Sequence, residues 1–211
     1  MNGGTIKIKG GTDMAHEKSR NLKLNLTDIL VTIVIALVFG LVFRLMGPVY
    51  DLVQPLGIHL DALLYGIWFI AAPFAALLIR KPGVAFLAET AAALAEMLFA
   101  GSGGVINLYY GLLQGAFSEA IFAAWRYKKF SIGVASLSAF AALIASIILD
   151  AGYAYLPLLA GWNLILYIVF RLIGSILLSG LFPYALVKGL EKTGVTQSLR
   201  PVTKEDYDVL K

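Results

Sequence analysis

Six apolar stretches follow one another along the chain, at 27–43, 62–79, 83–99, 105–125, 130–149 and 162–187. Each is about 17 residues or longer, enough at roughly 1.5 Å per residue to cross a hydrocarbon layer of roughly 30 Å. None shows the short, strictly alternating segments of a membrane β-barrel. The pattern predicts an all-α integral membrane protein with six transmembrane helices. Arg80-Lys81-Pro82-Gly83, Ala100–Gly104 and Arg126–Lys129 join consecutive stretches. Connections this short make the spans they join antiparallel neighbours. Two connections are longer: 46–61, with Pro48 and Pro55, and 151–161, with Tyr153, Tyr155, Leu156 and Pro157. Both are apolar for loops, and the expectation is that they fold over a site or lie at the membrane interface. Pro73 predicts a kink near the middle of the second span.

Composition strengthens this picture. Of 211 residues, 59% are hydrophobic and 14% charged, against about 25% charged in a soluble domain. Mean hydropathy is +0.82. A soluble fold of this composition would lack a polar surface. With no cysteine, disulfides and thiolate centres are excluded; two histidines, His16 and His59, are too few and too far apart to suggest a metal site, and none is predicted.

Charge distribution sets the orientation. Fifteen of the 17 basic residues fall in the N-terminal segment, the second and fourth connections and the C-terminal segment. All of these lie on one side of a six-span arrangement. The exceptions are Arg44, ending span one, and Arg171, inside span six. The positive-inside bias places both termini in the cytoplasm. The chain then divides into a cytoplasmic N-terminal segment (1–26), a six-span membrane domain (27–187) and a polar cytoplasmic tail (188–211). The N-terminal segment lacks the apolar core of a secretory signal. Met14 is a second candidate start, residues 1–13 then being an addition to the natural chain. The basic clusters are short and border spans, so no nucleic-acid partner is expected.

Charges within an apolar span are costly and are functional candidates. Glu89 lies about six residues into span three, Glu96 seven residues later on the same helix face, and Glu119 in span four at a depth matching Glu89. Arg171 lies near the middle of span six. Asp150, at the outer end of span five, adds a further acid. One ion pair, of Arg171 with Glu89 or Glu119, can cancel, and either glutamate could instead tie helices by a hydrogen bond. The remaining acids must be neutral or meet a cationic or hydrogen-bond-donating ligand. Polar and aromatic residues gather at the outer ends of the spans. Tyr65 and Trp68 share a face of span two, Asn107, Tyr110 and Gln114 stand in span four, and Asn163, Tyr167 and Arg171 form a stripe in span six. An aromatic face for stacking, carboxylates for charge and amides for in-plane hydrogen bonds suit a planar cationic ring. The predicted substrate-binding set is therefore Tyr65, Trp68, Glu89, Glu96, Asn107, Tyr110, Gln114, Glu119, Asn163, Tyr167 and Arg171. Span one has no embedded charge, and its small pair Ala36 and Gly40 is expected to dock a partner helix while spans two to six build the pocket.

No phosphate-binding lysine loop, HExxH or serine elbow occurs in the chain. ATP-driven work would need a partner, and no catalytic residues are assigned. The strings Tyr65-Gly66-Ile67-Trp68-Phe69-Ile70 and Ile79-Arg80-Lys81-Pro82-Gly83 stand with Glu89, Glu96, Gly115, Glu119-Ala120, Arg126 and Arg171-Leu172-Ile173-Gly174. Over residues 26–195 this pattern resembles the YkoE-type substrate-binding (S) components of energy-coupling factor (ECF) transporters. The resemblance implies a multi-pass protein of the prokaryotic cytoplasmic membrane that captures thiamine or its hydroxymethylpyrimidine precursor from outside. It implies no cofactor in this chain. A separate transmembrane coupling subunit and two ATP-binding subunits would use ATP and Mg. Related S components carry Ala-xxx-Ala in the first span, which Ala36 and Gly40 match with glycine in the second place. Three other readings stand beside this one. They are an S component for another amine-bearing vitamin or cation, an intramembrane acid–base enzyme using Glu89, Glu96 or Glu119, and a structural membrane protein.

The orientation is open to direct test. Single cysteines at Ser102→Cys and Lys128→Cys, in a chain with no other cysteine, are probed on intact cells with an impermeant thiol reagent. Labelling of the first and protection of the second is expected. The opposite pattern reverses the topology.

Overall fold

The computed structural model describes residues 22–56, 59–101, 103–153, 156, 159 and 161–199. These residues form six helical passes. The first is α1 (Leu26–Val53). The second is broken into α2 (Leu60–Leu64), a 3-10 stretch (Tyr65–Phe69) and α3 (Ala71–Ile79). Next come α4 (Val84–Leu98), α5 (Val105–Ala124) and α6 (Ile132–Gly152). The last is broken into α7 (Gly161–Ser175), a π stretch (Ile176–Leu181) and α8 (Phe182–Lys192). Four passes, Leu26–Leu56, Leu60–Ile79, Ile132–Gly152 and Gly161–Lys192, are long and apolar enough to cross a membrane. The other two, α4 and α5, hold the three glutamates of the apolar region and fall short of that standard.

Local sequence explains where the helices begin. Asn25 and Asp28 close α1 reciprocally: the Asp28 amide donates to Asn25 Oδ1 at 2.8 Å and the Asn25 amide to Asp28 Oδ2 at 2.7 Å, a capping box. Ser131 caps α6 by accepting from the Val134 amide. Pro73 does not kink a continuous helix. It stands in the first turn of α3, where its missing N–H is not needed. The break lies just before it, in the 3-10 stretch.

Small residues set the packing. A Cβ on Gly40 would lie 2.5 Å from Ala95 Cβ, and one on Gly111 2.4 Å from Ala93 Cβ. Glycine thus lets α1 and α5 approach alanine-rich α4 from two sides. The two broken passes meet each other. A Cβ on Gly174 would lie 1.8 Å from the Leu63 carbonyl oxygen, and Ser179 Oγ donates to the Gly66 carbonyl. Irregular backbone at membrane depth is tolerated where protein surrounds it, and here each break is covered by the other. The outward faces of α1 and α7, including Ile33, Leu37, Leu41, Ile165 and Val169, are exposed and apolar, as lipid-facing surfaces are.

Three expectations change. The connection 46–61 is not a loop throughout: α1 continues past Arg44 and through Pro48 to Val53. The polar segment from 188 packs against the membrane domain at its start. Helix α8 runs to Lys192, Glu191 pairs with Arg80 at 3.1 Å, and Leu199 is buried in the main apolar core. Ala36 and Gly40 are buried, Gly40 against α4, so this pair packs internally and offers no free docking face. In the second long connection, 151–161, Tyr155 and Pro157 lie outside the described residues, and Leu156 is buried against Ala62 and Tyr167.

Candidate ligand-binding cavity

One cavity of about 330 Å³ lies among α1, the 3-10 stretch Tyr65–Phe69, α4, α5 and the ends of α6 and α7. That volume is within the usual range for small-molecule sites. On the topology read from the charges, these are the outer ends. Eight predicted residues line it: Tyr65 and Trp68 from the 3-10 stretch, Glu89 and Glu96 from α4, Asn107, Tyr110 and Gln114 from α5, and Tyr167 from α7. Two turns of α4, about 10 Å along the helix, separate Glu89 from Glu96. Glu89 and Gln114 thus form the inner end, while Asp51 and Gln54 stand at the rim.

Each wall has an identifiable support. Trp68 Nε1 donates to Glu96 Oε1 at 3.1 Å, fixing the indole against the acid. The rings of Tyr50 and Trp68 meet edge to face at 5.7 Å. At the inner end, Glu89 Oε2 accepts from the Ala72 amide at 2.8 Å. That amide is in the first turn of α3, where no preceding helical carbonyl reaches it. Glu89 is therefore a helix cap supplied from a neighbouring helix. Its other oxygen, Oε1, is buried without a hydrogen-bond partner, and so is Gln114 Nε2.

Arg171 and Asp150 close the side of the cavity. Arg171 Nη1 donates to Asp150 Oδ2 and to Tyr167 Oη, and Tyr110 Oη donates to Asp150 Oδ1. The guanidinium lies 3.4 Å from the Tyr65 ring centroid, a cation–π contact in a dry setting. Arg171 is fully buried behind the wall rather than in its lining. Its acidic partner is Asp150, at the outer end of α6, and not Glu89 or Glu119. The two glutamates are engaged on backbone amides instead.

Two predicted residues lie elsewhere. Asn163 is exposed on the outer end of α7. Glu119 faces the opposite end of the molecule, where it accepts from the amides of Gly83 at 2.6 Å, Ala85 at 2.9 Å and Phe86 at 3.3 Å, and from Tyr127 Oη at 2.6 Å. It caps α4 as Glu89 caps α3. Burial, then the hydrogen bond to Glu119, holds the Tyr127 phenol above its ordinary range, so it remains the donor. The Arg80–Gly83 turn beside it is tied further by Lys81 Nζ on Asp28 Oδ2 at 2.5 Å.

The cavity also draws on α1, which was expected to take no part. Phe43, Gly47, Tyr50, Asp51 and Gln54 line it. The signal was present: positions 43, 47, 50 and 54 recur at helical spacing. It was masked because the apolar run ends at Arg44. Asp150 was noted as an outer acid but left out of the predicted set.

Among the described lining residues, four are carboxylates (Asp51, Glu89, Glu96 and Asp150) and none is basic. Arg171 offsets Asp150 alone. The site has aromatic walls, an acidic field and unpaired hydrogen-bonding atoms at its inner end. These features define a helical membrane protein with an acidic, aromatic-walled pocket of small-molecule size.

Comparison with known proteins agrees. Residues 27–145 match the family described as "ABC-type cobalt transport system, permease component", and the chain belongs to that family. A relative from Bacillus subtilis (strain 168), described as "Putative HMP/thiamine permease protein YkoE", is 41% identical over 140 residues, 64% of this chain and 68% of its own length. A solved structure described as an S-component of an ECF transporter superposes with a TM-score of 0.80 at 33% identity, covering 84% of this chain and 90% of that one.

Asp150→Asn should leave the buried Arg171 guanidinium uncompensated and cost about 3–5 kcal/mol. Thermal unfolding in detergent reads this as a clear loss of stability. The double variant Asp150→Leu/Arg171→Met should recover most of it, because it removes both charges. A single variant as stable as wild type would show that the pair does not hold the cavity wall.

Proposed function

We propose that this protein is the substrate-capture subunit of an ECF vitamin importer, taking thiamine or its hydroxymethylpyrimidine precursor from outside the cell. The observation that supports it best is the cavity lining, with four carboxylates and no basic side chain set among Tyr65, Trp68 and Tyr110. Thiamine offers a cationic thiazolium and an aminopyrimidine, which answer to acids, aromatic faces and amides. The similarity to the Bacillus permease and to the solved S-component points the same way. The cobalt in the family's description fits less well. Among the described residues, no group of three or more His, Cys, Asp or Glu side chains converges as a metal site needs.

On this reading all six passes span the membrane, including α4 and α5, whose acids are enclosed by neighbouring helices. Both termini are cytoplasmic and the cavity faces out. The chain is not an enzyme. Hydrolysis of ATP, with its Mg, belongs to two partner subunits coupled through a transmembrane subunit. Since Ala36 and Gly40 are occupied by α4, docking falls to the exposed apolar face of α1, around Ile33, Leu37 and Leu41.

Protein purified in detergent should bind thiamine without ATP, one molecule per chain, by isothermal titration calorimetry. Trp68→Ala and Glu96→Gln should each weaken binding by about 1–3 kcal/mol, the scale of a lost stacking face or charged hydrogen bond. Absence of heat and of thermal stabilisation with thiamine and with the pyrimidine precursor would end the assignment.

A further inference from the structure

Arg171 is fully buried and does not line the cavity, yet it reaches four lining residues from behind. Nη1 donates to Asp150 Oδ2 and, at 2.6 Å, to Tyr167 Oη, and Asp150 in turn accepts from Tyr110 Oη. The guanidinium also lies over the Tyr65 ring, 3.4 Å from its centroid. Its Nε and Nη2 are buried without a hydrogen-bond partner. An ion pair alone does not explain a buried guanidinium with two nitrogens unpaired, because each unpaired donor costs desolvation. The cation instead meets two aromatic rings, those of Tyr65 and, at 5.3 Å, Tyr167. A planar guanidinium can stack in this way while bonding a carboxylate, and a lysine ammonium cannot.

We infer that Arg171 is a positioning residue for ligand capture: from behind the wall it fixes the rings of Tyr65 and Tyr110, and so sets the shape of the aromatic slot without touching the ligand. This rests on the thiamine-type reading of the cavity and adds a residue outside the lining on which affinity depends. Tyr65 has particular need of such support. It opens the irregular 3-10 stretch Tyr65–Phe69 and borders open space. The guanidinium covers one face of its ring and leaves the other face and the edge to the cavity. Tyr110 comes from α5 and is held through Asp150 of α6. One buried cation therefore ties together aromatic residues from separate passes. Rings held in place before the ligand arrives need no ordering on binding, which strengthens affinity without any added contact.

Thiamine titration of purified variants, paired with thermal unfolding of the same samples, tests the inference. Arg171→Lys keeps a cation within reach of Asp150 and loses the stacking plane. It should weaken binding by about five- to thirtyfold, the scale of a desolvated cation–π contact. Asp150→Leu/Arg171→Met should be close to wild type in stability and should still lose affinity to a similar degree. A purely structural role would move stability and affinity together. A mutant cycle reads the route. Tyr65→Ala removes the ring on which Arg171 acts, so adding Arg171→Lys to it should cost much less than Arg171→Lys does alone. Wild-type affinity in either folded Arg171 variant overturns the positioning role and leaves the vitamin reading standing. Fully additive losses in the cycle overturn it as well, since Arg171 then does not act through Tyr65. Absence of thiamine binding by the wild-type protein removes the vitamin reading, and the inference with it.

Discussion

A helix end buried in protein at membrane depth has no water to satisfy its free amides, and carboxylates on neighbouring helices meet that demand here. Glu89 closes the start of α3, and Glu119 closes the start of α4 through three amides. Asp28 closes its own helix while holding Lys81. An unsatisfied group in hydrocarbon costs several kcal/mol, so the broken second pass depends on a cap from α4. The last pass is broken beside it, and Ser179 reaches across to the Gly66 carbonyl. The 3-10 stretch carrying Tyr65 and Trp68 can therefore exist where it does, with its aromatic side chains turned toward the cavity.

The same demand separates structural acids from those free to act. Asp150 is held by Arg171 and Tyr110, and Glu119 is saturated by backbone amides and Tyr127. Glu96 accepts from Trp68, and Glu89 gives one oxygen to the backbone and keeps one. A count of charges along the spans suggests a surplus of negative charge for a ligand. The hydrogen bonds show that much of this surplus is spent on the fold, and of these four acids Glu89 keeps a buried oxygen without a partner.

Much of the fold was legible in the sequence, for a physical reason: apolar runs and short polar connections are what a bilayer demands. Residues facing the cavity from the second, third, fourth and last passes were legible too, because polar side chains in apolar runs are conspicuous. Three features were not. The role of Glu119 stayed open because a helix-tying acid and a ligand-binding acid look alike until the amides they meet are placed. The contribution of α1 was hidden by Arg44, which ends the apolar run although the helix continues to Val53. The partner of Arg171 was missed because the break in the last pass and the ends of α6 and α7 bring Asp150 alongside it, a pairing no spacing along the chain reveals. Gly40 shows the opposite case. A small-residue pair reads the same whether it meets a partner or its own fold, and here α4 fills it.

The central claim is that acids capping buried helix ends, Glu89 among them, hold the broken second pass so that Trp68 and Glu96 face the cavity. A structure of the protein with thiamine bound tests it most directly. The account predicts thiamine inside the cavity against Trp68 and Glu96, with Glu89 Oε2 still accepting from the Ala72 amide. Thiamine lying outside the cavity, or a Glu89 released from Ala72 on binding, would contradict it.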